Sequence, residues 1–414
     1  MTETLAATAP ETEEPLPEFP MPRATGCPFA PPPTARALHS ERPVARVRLW
    51  DGSAPWLVTR YADQRALLAD RRVSSESTLP GFPHASAGFR ENAARRRSFI
   101  TMDDPEHARI RRMVTGPFAI KRIEAMRPDV QKITDELIDT MLAGPTPADL
   151  VRALALPLPS LVICKLLGVP YEDHDFFQRN SSLMINRHSS AEEVVGANEA
   201  LTDYLDGLVA AKLADPADDM LSELAERVRA GELTRREAAN MGVLLLVAGH
   251  ETTANMIALG TVALLENPDQ LAVLRDAEDP KVVGKAVEEL LRYLSIVHNG
   301  RRRVALEDIE VGGETIRAGE GIIVYTGTGN WDEEVFPEPD RLDIGRDARR
   351  HVAFGFGVHQ CLGQPLARME LQVVYGTLYR RIPTLRLATG IDQLPFKHDG
   401  LVYGVYELPV TWTS

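Results

Sequence analysis

Cysteine is scarce: Cys27, Cys164 and Cys361 are the three in 414 residues. An odd number spread this far apart is no disulfide framework and points to a reducing compartment. Positive charge is also in deficit, with 46 Lys and Arg against 59 Asp and Glu, a net of −13. Phosphate backbones need a basic surface, so nucleic acid is excluded as a partner class, and an anionic membrane would repel the chain. The N-terminus has neither the basic stretch nor the apolar stretch of a secretion signal. The longest uninterrupted apolar run, 242–249, falls short of the ~20 residues a membrane helix needs. The expectation is a cytoplasmic monomer that acts on a small molecule.

Residues 1–35 carry Glu and Pro without periodicity and read as a flexible lead-in to a single domain over 36–414. Residues 44–50 and 56–59 flank an Asp51-Gly52 turn and predict a hairpin. Residues 71–100 read as one long irregular loop. From 105 to about 267 the spacing is helical nearly throughout, with stretches at 123–142, 150–167, 173–187 and 191–213. Thr234 and Glu237 form a capping box, and the apolar pattern that follows to about 265 predicts a core helix. A helix over 281–293 comes next, then short strands at 303–305, 309–311, 315–317 and 322–325. A last long helix over 361–381 and strands within 402–411 close the chain. The fold class is mainly α with small β ribbons.

One segment concentrates the chemistry: Phe354-Gly355-Phe356-Gly357-Val358-His359-Gln360-Cys361-Leu362-Gly363. Glycines after each Phe allow tight backbone geometry beside a flat ligand. Cys361 stands at the mouth of the last helix, where free amides and positive potential favour a thiolate. A lone cysteine beside a Gly-rich turn is more often an inert core residue, the reading given to Cys27 and Cys164. The whole pattern, however, resembles the haem-binding signature of cytochromes P-450, Phe-Gly-x-Gly-x-His-x-Cys-x-Gly, with every fixed position matched.

Three further motifs stand in the order that family shows. In the core helix, Ala248-Gly249-His250-Glu251-Thr252-Thr253 places an acid and an alcohol where burial makes both costly. The zinc-helix alternative fails because Ala254 occupies the position of the second histidine. Glu289 and Arg292 lie three apart on one helix face, by themselves an ordinary surface pair. Downstream, Phe336-Pro-Glu-Pro-Asp-Arg341 is Pro-rich. His107 and Arg111 share a helix face.

The resemblance covers nearly the whole chain and is strongest to the soluble bacterial branch that hydroxylates secosteroids, macrolides, statin precursors and xenobiotics. It implies a triangular, mainly helical prism with haem b between the two longest helices and Cys361 on the iron. It implies His107, Arg111, Arg303 and His359 at the haem propionates, with Phe354, Gly355, Gly363 and Ala248 against the ring. Gly249 would open an oxygen pocket, and Glu251 and Thr252 would deliver protons to dioxygen. Glu289, Arg292 and Arg341 would form a buried structural network. Leu244, Val247, Ala248, Ile296 and Val297 match family substrate positions, and Phe82 and Phe89 are candidate lids on an apolar pocket. No flavin or iron–sulfur motif is present, so NAD(P)H-derived electrons would come through an external ferredoxin and its reductase. Arg112, Arg349 and Arg350 are candidates for that docking face. Peroxide-driven or coupling chemistry on the same scaffold is one alternative, and a non-catalytic haem sensor is another.

Overall fold

The computed structural model describes residues 15–24, 26–95 and 98–413. Helices carry the fold. The first five are α1 (Pro33–Glu41), α2 (Tyr61–Ala69), α3 (Ala87–Arg95), α4 (Glu106–Thr115) and α5 (Ile120–Ala143). Then follow α6 (Pro157–Leu167), α7 (His174–Ile185), α8 (Ala191–Ala214), α9 (Met220–Arg229) and α10 (Arg235–Leu265). The last are α11 (Pro268–Arg275), α12 (Pro280–Leu294), the single turn α13 (Thr326–Gly329) and α14 (Gln364–Arg381). Five strands make the main sheet: β1 (Val44–Arg46), β2 (Trp56–Val58), β3 (Val73–Ser74), β5 (Arg301–Ala305) and β8 (Gly321–Val324). Their order is β1-β2-β8-β5-β3, and only β2 and β8 run parallel. β6 (Ile309–Val311) pairs with β7 (Glu314–Ile316), and β4 (Ala148–Asp149), β10 (Pro409–Thr411) and β9 (Arg386–Leu387) make a third small sheet.

Helix α10 organises the core. Its start is fixed as the sequence predicts: the Glu237 amide donates to Thr234 Oγ1 at 3.2 Å, and the Thr234 amide to the Glu237 carboxylate at 2.7 Å. From Ala254 to Leu264 every residue is buried, because α6, α8 and α14 surround it. By length and apolarity this helix could cross a membrane, but 72% of its apolar stretch is covered by the fold itself. It packs tightly at two glycines. A Cβ on Gly260 would sit 1.9 Å from Tyr375 Oη, and one on Gly249 would sit 2.8 Å from Ile163 Cγ1.

Four sequence expectations change. Residues 15–24 and 26–35 are not loose: Phe19 and Met21 are buried with Leu38, Val47 and Tyr325, and Arg23 lies 4.1 Å over the Tyr403 ring. Residues 1–14 lie outside the described residues. The loop at 71–100 contains β3 and the nine-residue α3, which rests on α8 so closely that a Cβ on Gly88 would come 2.8 Å from Val194 Cγ2. Residues 402–408 are irregular, with Tyr403, Val405 and Leu408 buried and Val405 making an isolated bridge to Phe396, and only Pro409–Thr411 forms a strand. The last helix begins at Gln364, so Cys361 lies in the loop before it.

Candidate active site

The loop carrying Cys361 is shaped by its glycines. Gly355 and Gly357 have φ of 76° and 74°, a region open to glycine and strained for other residues. A Cβ on Gly357 would lie 2.2 Å from the Leu68 carbonyl oxygen, and one on Gly355 2.6 Å from Arg301 Nε. These glycines therefore seat the loop against α2 and β5. The Cys361 amide donates to the Phe354 carbonyl at 2.9 Å, closing the loop so that the sulfur faces inward. Its accessible surface opens on an internal cavity and not on bulk solvent. Burial pushes the thiol pKa up, against the pull of the Gly363 amide and of Arg301, Arg111 and Arg368. Desolvation thus outweighs the helix-entrance effect expected from sequence.

Two adjoining cavities meet along one stripe of α10. Leu244, Ala248 and Thr252, each four residues on, line both. The inner cavity, about 240 Å³, also takes Gly249, Ile296, Phe354, His359, Cys361 and Gly363. The outer one, about 510 Å³, takes Val247, Glu251, Phe82, Phe89 and Arg303, while Val297 borders both. All the residues proposed from sequence for substrate contact therefore line one or other cavity. His107 and Gly355 do not line either, but they buttress the inner one through His359 and Arg301. The inner cavity lies between α10, at 31 residues the longest helix, and α14, which at 18 residues is shorter than α5 and α8 at 24 each.

Around the inner cavity three arginines stand without a carboxylate partner, and two histidines each keep one ring nitrogen open. None of Arg111, Arg301 and Arg303 makes an ion pair with a carboxylate among the described residues. Arg111 donates instead to the Gln360 carbonyl at 2.5 Å, and Arg301 to the Ala353 carbonyl at 2.8 Å. Burial pulls Arg301 and Arg303 down to about 10. His107 Nδ1 contacts Asp104 at 2.9 Å, while its Nε2 is buried without a partner. His359 Nδ1 is likewise orphaned, its ring 4.1 Å from that of His107. Burial, with Arg303, His107 and Arg111 nearby, lowers His359 to about 3. Buried polar atoms left open are costly, and three guanidiniums without carboxylate partners suit a bound polyanion. Sequence reading missed Arg301; the signal was strand alternation, which puts it on the face of Arg303. It also missed Glu370, a cavity-lining carboxyl that burial lifts well above its ordinary range.

At the oxygen-side motif, Thr252 Oγ1 donates to the Ala248 carbonyl at 2.7 Å. Glu251 is buried, with His250 Nε2 3.6 Å from one carboxylate oxygen and Lys397 Nζ 3.9 Å from the other. Burial pushes this carboxyl up, but His250, Lys397 and Asn255 together hold it below the usual range.

The structural network is corrected at one residue. Glu289 and Arg292 are fully buried and joined by two hydrogen bonds of 2.7 and 2.8 Å. The second arginine is Arg346, whose Nε lies 3.2 Å from Glu289. Arg341 is 62% exposed beside Glu338 and contributes only its carbonyl, so the Pro-rich segment supplies backbone acceptors and not the cation. Of the basic residues suggested for docking, Arg112, Arg349 and Arg350 are all exposed, and Arg349 is already held by Asp347 at 2.7 Å.

The Cytochrome P450 family model matches residues 186–383. Cytochrome P450 GfsF of Streptomyces halstedii is 60% identical over all 414 residues and its full length. Cytochrome P450 CYP105Q4 of Mycobacterium marinum is 59% identical, again over the whole of both chains. Among solved structures, mycinamicin VIII C21 methyl hydroxylase MycCI of Micromonospora griseorubida superposes with a TM-score of 0.90 at 43% identity. That match covers 96% of this chain and 100% of the other. Fold and relatives together define a haem-dependent oxidoreductase that uses dioxygen. The chain belongs to the cytochrome P450 family and is a monooxygenase. The inner cavity fits that cofactor: the sulfur of Cys361 opens on it, and the guanidiniums and orphaned histidine nitrogens suit two carboxylates.

Proposed function

We propose that this enzyme hydroxylates a bulky, largely apolar natural product or xenobiotic of the macrolide, secosteroid or statin-precursor kind. In this reading it works in the cytoplasm with electrons from a ferredoxin and its reductase. The observation that carries it is the single stripe of α10 shared by the two cavities. Along that stripe, a chamber opening on Cys361 adjoins a larger chamber walled by Phe82, Phe89, Val247 and Val297. Haem held by a thiolate supplies the redox chemistry that activates dioxygen. Cys361 would be the protein's ligand to it, and Arg111, Arg301, Arg303, His107 and His359 would hold its propionates. Leu244 and Ala248 exclude water and set the width of the passage from substrate to cofactor. Thr252 presents its hydroxyl at that passage, and Glu251, kept ionised by its neighbours, takes up protons from Lys397 or solvent and passes them on toward it.

The experiment is substrate-dependent NADPH oxidation with a ferredoxin system, compared with hydrogen peroxide alone. Turnover supported only by peroxide would overturn the reading in favour of a peroxygenase, and none with either would favour a sensor. In Thr252→Ala, NADPH oxidation is expected to continue while product formed per NADPH falls at least about tenfold, since positioned proton transfer is worth that much or more. Lys397→Met is expected to move the acid limb of the pH–rate profile upward. Removing the cation takes away one of the influences that hold Glu251 ionised, so the carboxyl protonates at a higher pH. An unmoved profile would show that Glu251 does not limit the rate.

A further inference from the structure

The outer cavity is not apolar throughout. Beside Phe82, Phe89 and Val247 it is lined by His84, Glu251, Arg302 and Arg303. Glu251 is held by His250 and Lys397. Arg303 shares a strand face with Arg301 and stands close to His359, so it belongs to the cofactor side. Arg302 points the other way, and its charged neighbours are different: Arg187, which also bears a positive charge, and Asp51. Asp51 already has Arg90 at 3.7 Å. Among the described residues Arg302 makes no ion pair, and its one side-chain hydrogen bond is to the Pro83 carbonyl at 2.6 Å. A guanidinium carries five donors. The remainder of this one faces the cavity, for none of its nitrogens is sealed off without a partner. Nearby, Arg187 donates to the His398 carbonyl at 2.6 Å and keeps its Nε buried and unpaired.

Arg187 has Asp399 as its own charged neighbour, whereas Arg302 lines the cavity with only the already paired Asp51 to offset it, and a buried guanidinium without a carboxylate partner is costly. We propose that Arg302 is the anchor for a carboxylate on the substrate. The enzyme then takes amphipathic carboxylic acids, with the apolar body against Phe82, Phe89 and Val247 and the acid group on the fork of Arg302. A carboxylate matches that fork in two parallel hydrogen bonds, and a neutral ester cannot. The inference rests on the monooxygenase reading and refines it.

The test uses ω-imidazolyl alkanoic acids of about eight to twelve carbons, each beside its methyl ester, titrated into the haem-loaded protein and followed by the Soret shift. The imidazole binds iron whatever the native substrate, so the comparison isolates the other end of the molecule. At one chain length or more, the acid is expected to bind at least tenfold tighter than its ester in the wild type. Arg302→Gln is expected to erase that preference, and Arg302→Lys to keep part of it. Equal affinity for acid and ester at every length, or an acid preference that survives in Arg302→Gln, would overturn the proposal and leave Arg302 as a brace for Pro83. Failure of the underlying reading looks different: no thiolate-type carbon-monoxide spectrum and no Soret shift with 1-dodecylimidazole in the wild type.

Discussion

Cys361→Ala is expected to abolish the red-shifted carbon-monoxide band that marks thiolate-ligated reduced haem, and monooxygenation with it. Alanine fills the loop position without strain: the amide of residue 361 still reaches the Phe354 carbonyl, and the seats at Gly355 and Gly357 are untouched. The change therefore removes the sulfur and little else, and circular dichroism should report an intact fold. Cys164 gives the control. It is buried in α6, burial pushes its thiol up to about 12, and it does not line either cavity. Cys164→Ala and Cys27→Ala are expected to keep the band. A band that persists in Cys361→Ala would remove the ligand assignment entirely.

The second large effect is on stability. Arg292→Leu is expected to cost about 3–5 kcal/mol, because it removes two hydrogen bonds from the buried Glu289 carboxylate and leaves it only Arg346 and the Asp343 amide. It also takes donors at 2.9 Å from the carbonyls of Asn330 and Pro339. Against a total stability of roughly 5–15 kcal/mol, that is enough to deplete folded, haem-loaded protein, read as the urea midpoint and as haem retained. Arg341→Ala is expected to change stability by less than about 0.5 kcal/mol, since that side chain is mostly in water. Equal damage from the two would return Arg341 to the network and displace Arg346.

That contrast shows where sequence stops being readable. The Glu289–Arg292 spacing lies on one helix and follows from helical geometry. Which later arginine completes the pair depends on how a Pro-rich turn folds, and Glu338 adopts a φ of 51° there, a conformation no local pattern announces. The long helix with its capping box was legible, because Thr234 and Glu237 bond within a single turn. Helix α3 was not: its run Ala-Gly-Phe-Arg-Glu-Asn-Ala-Ala-Arg has a weak apolar stripe, and contact with α8 makes it a helix. The same divide runs through the site. The residues around Cys361 and Thr252 sit in contiguous motifs. Glu370 and the Lys397 partner of Glu251 reach the site from positions that only the fold brings together.

Gly249 shows what that assembly means for chemistry. The missing side chain is filled by Ile163, so α10 is keyed into α6 like a shaft into a slot and can neither slide nor turn freely. Thr252, three residues on along the same flank of the helix, and Ala248 inherit their aim from this fit. The direction in which the enzyme presents its hydroxyl is thereby set by a hydrocarbon contact that takes no part in the reaction.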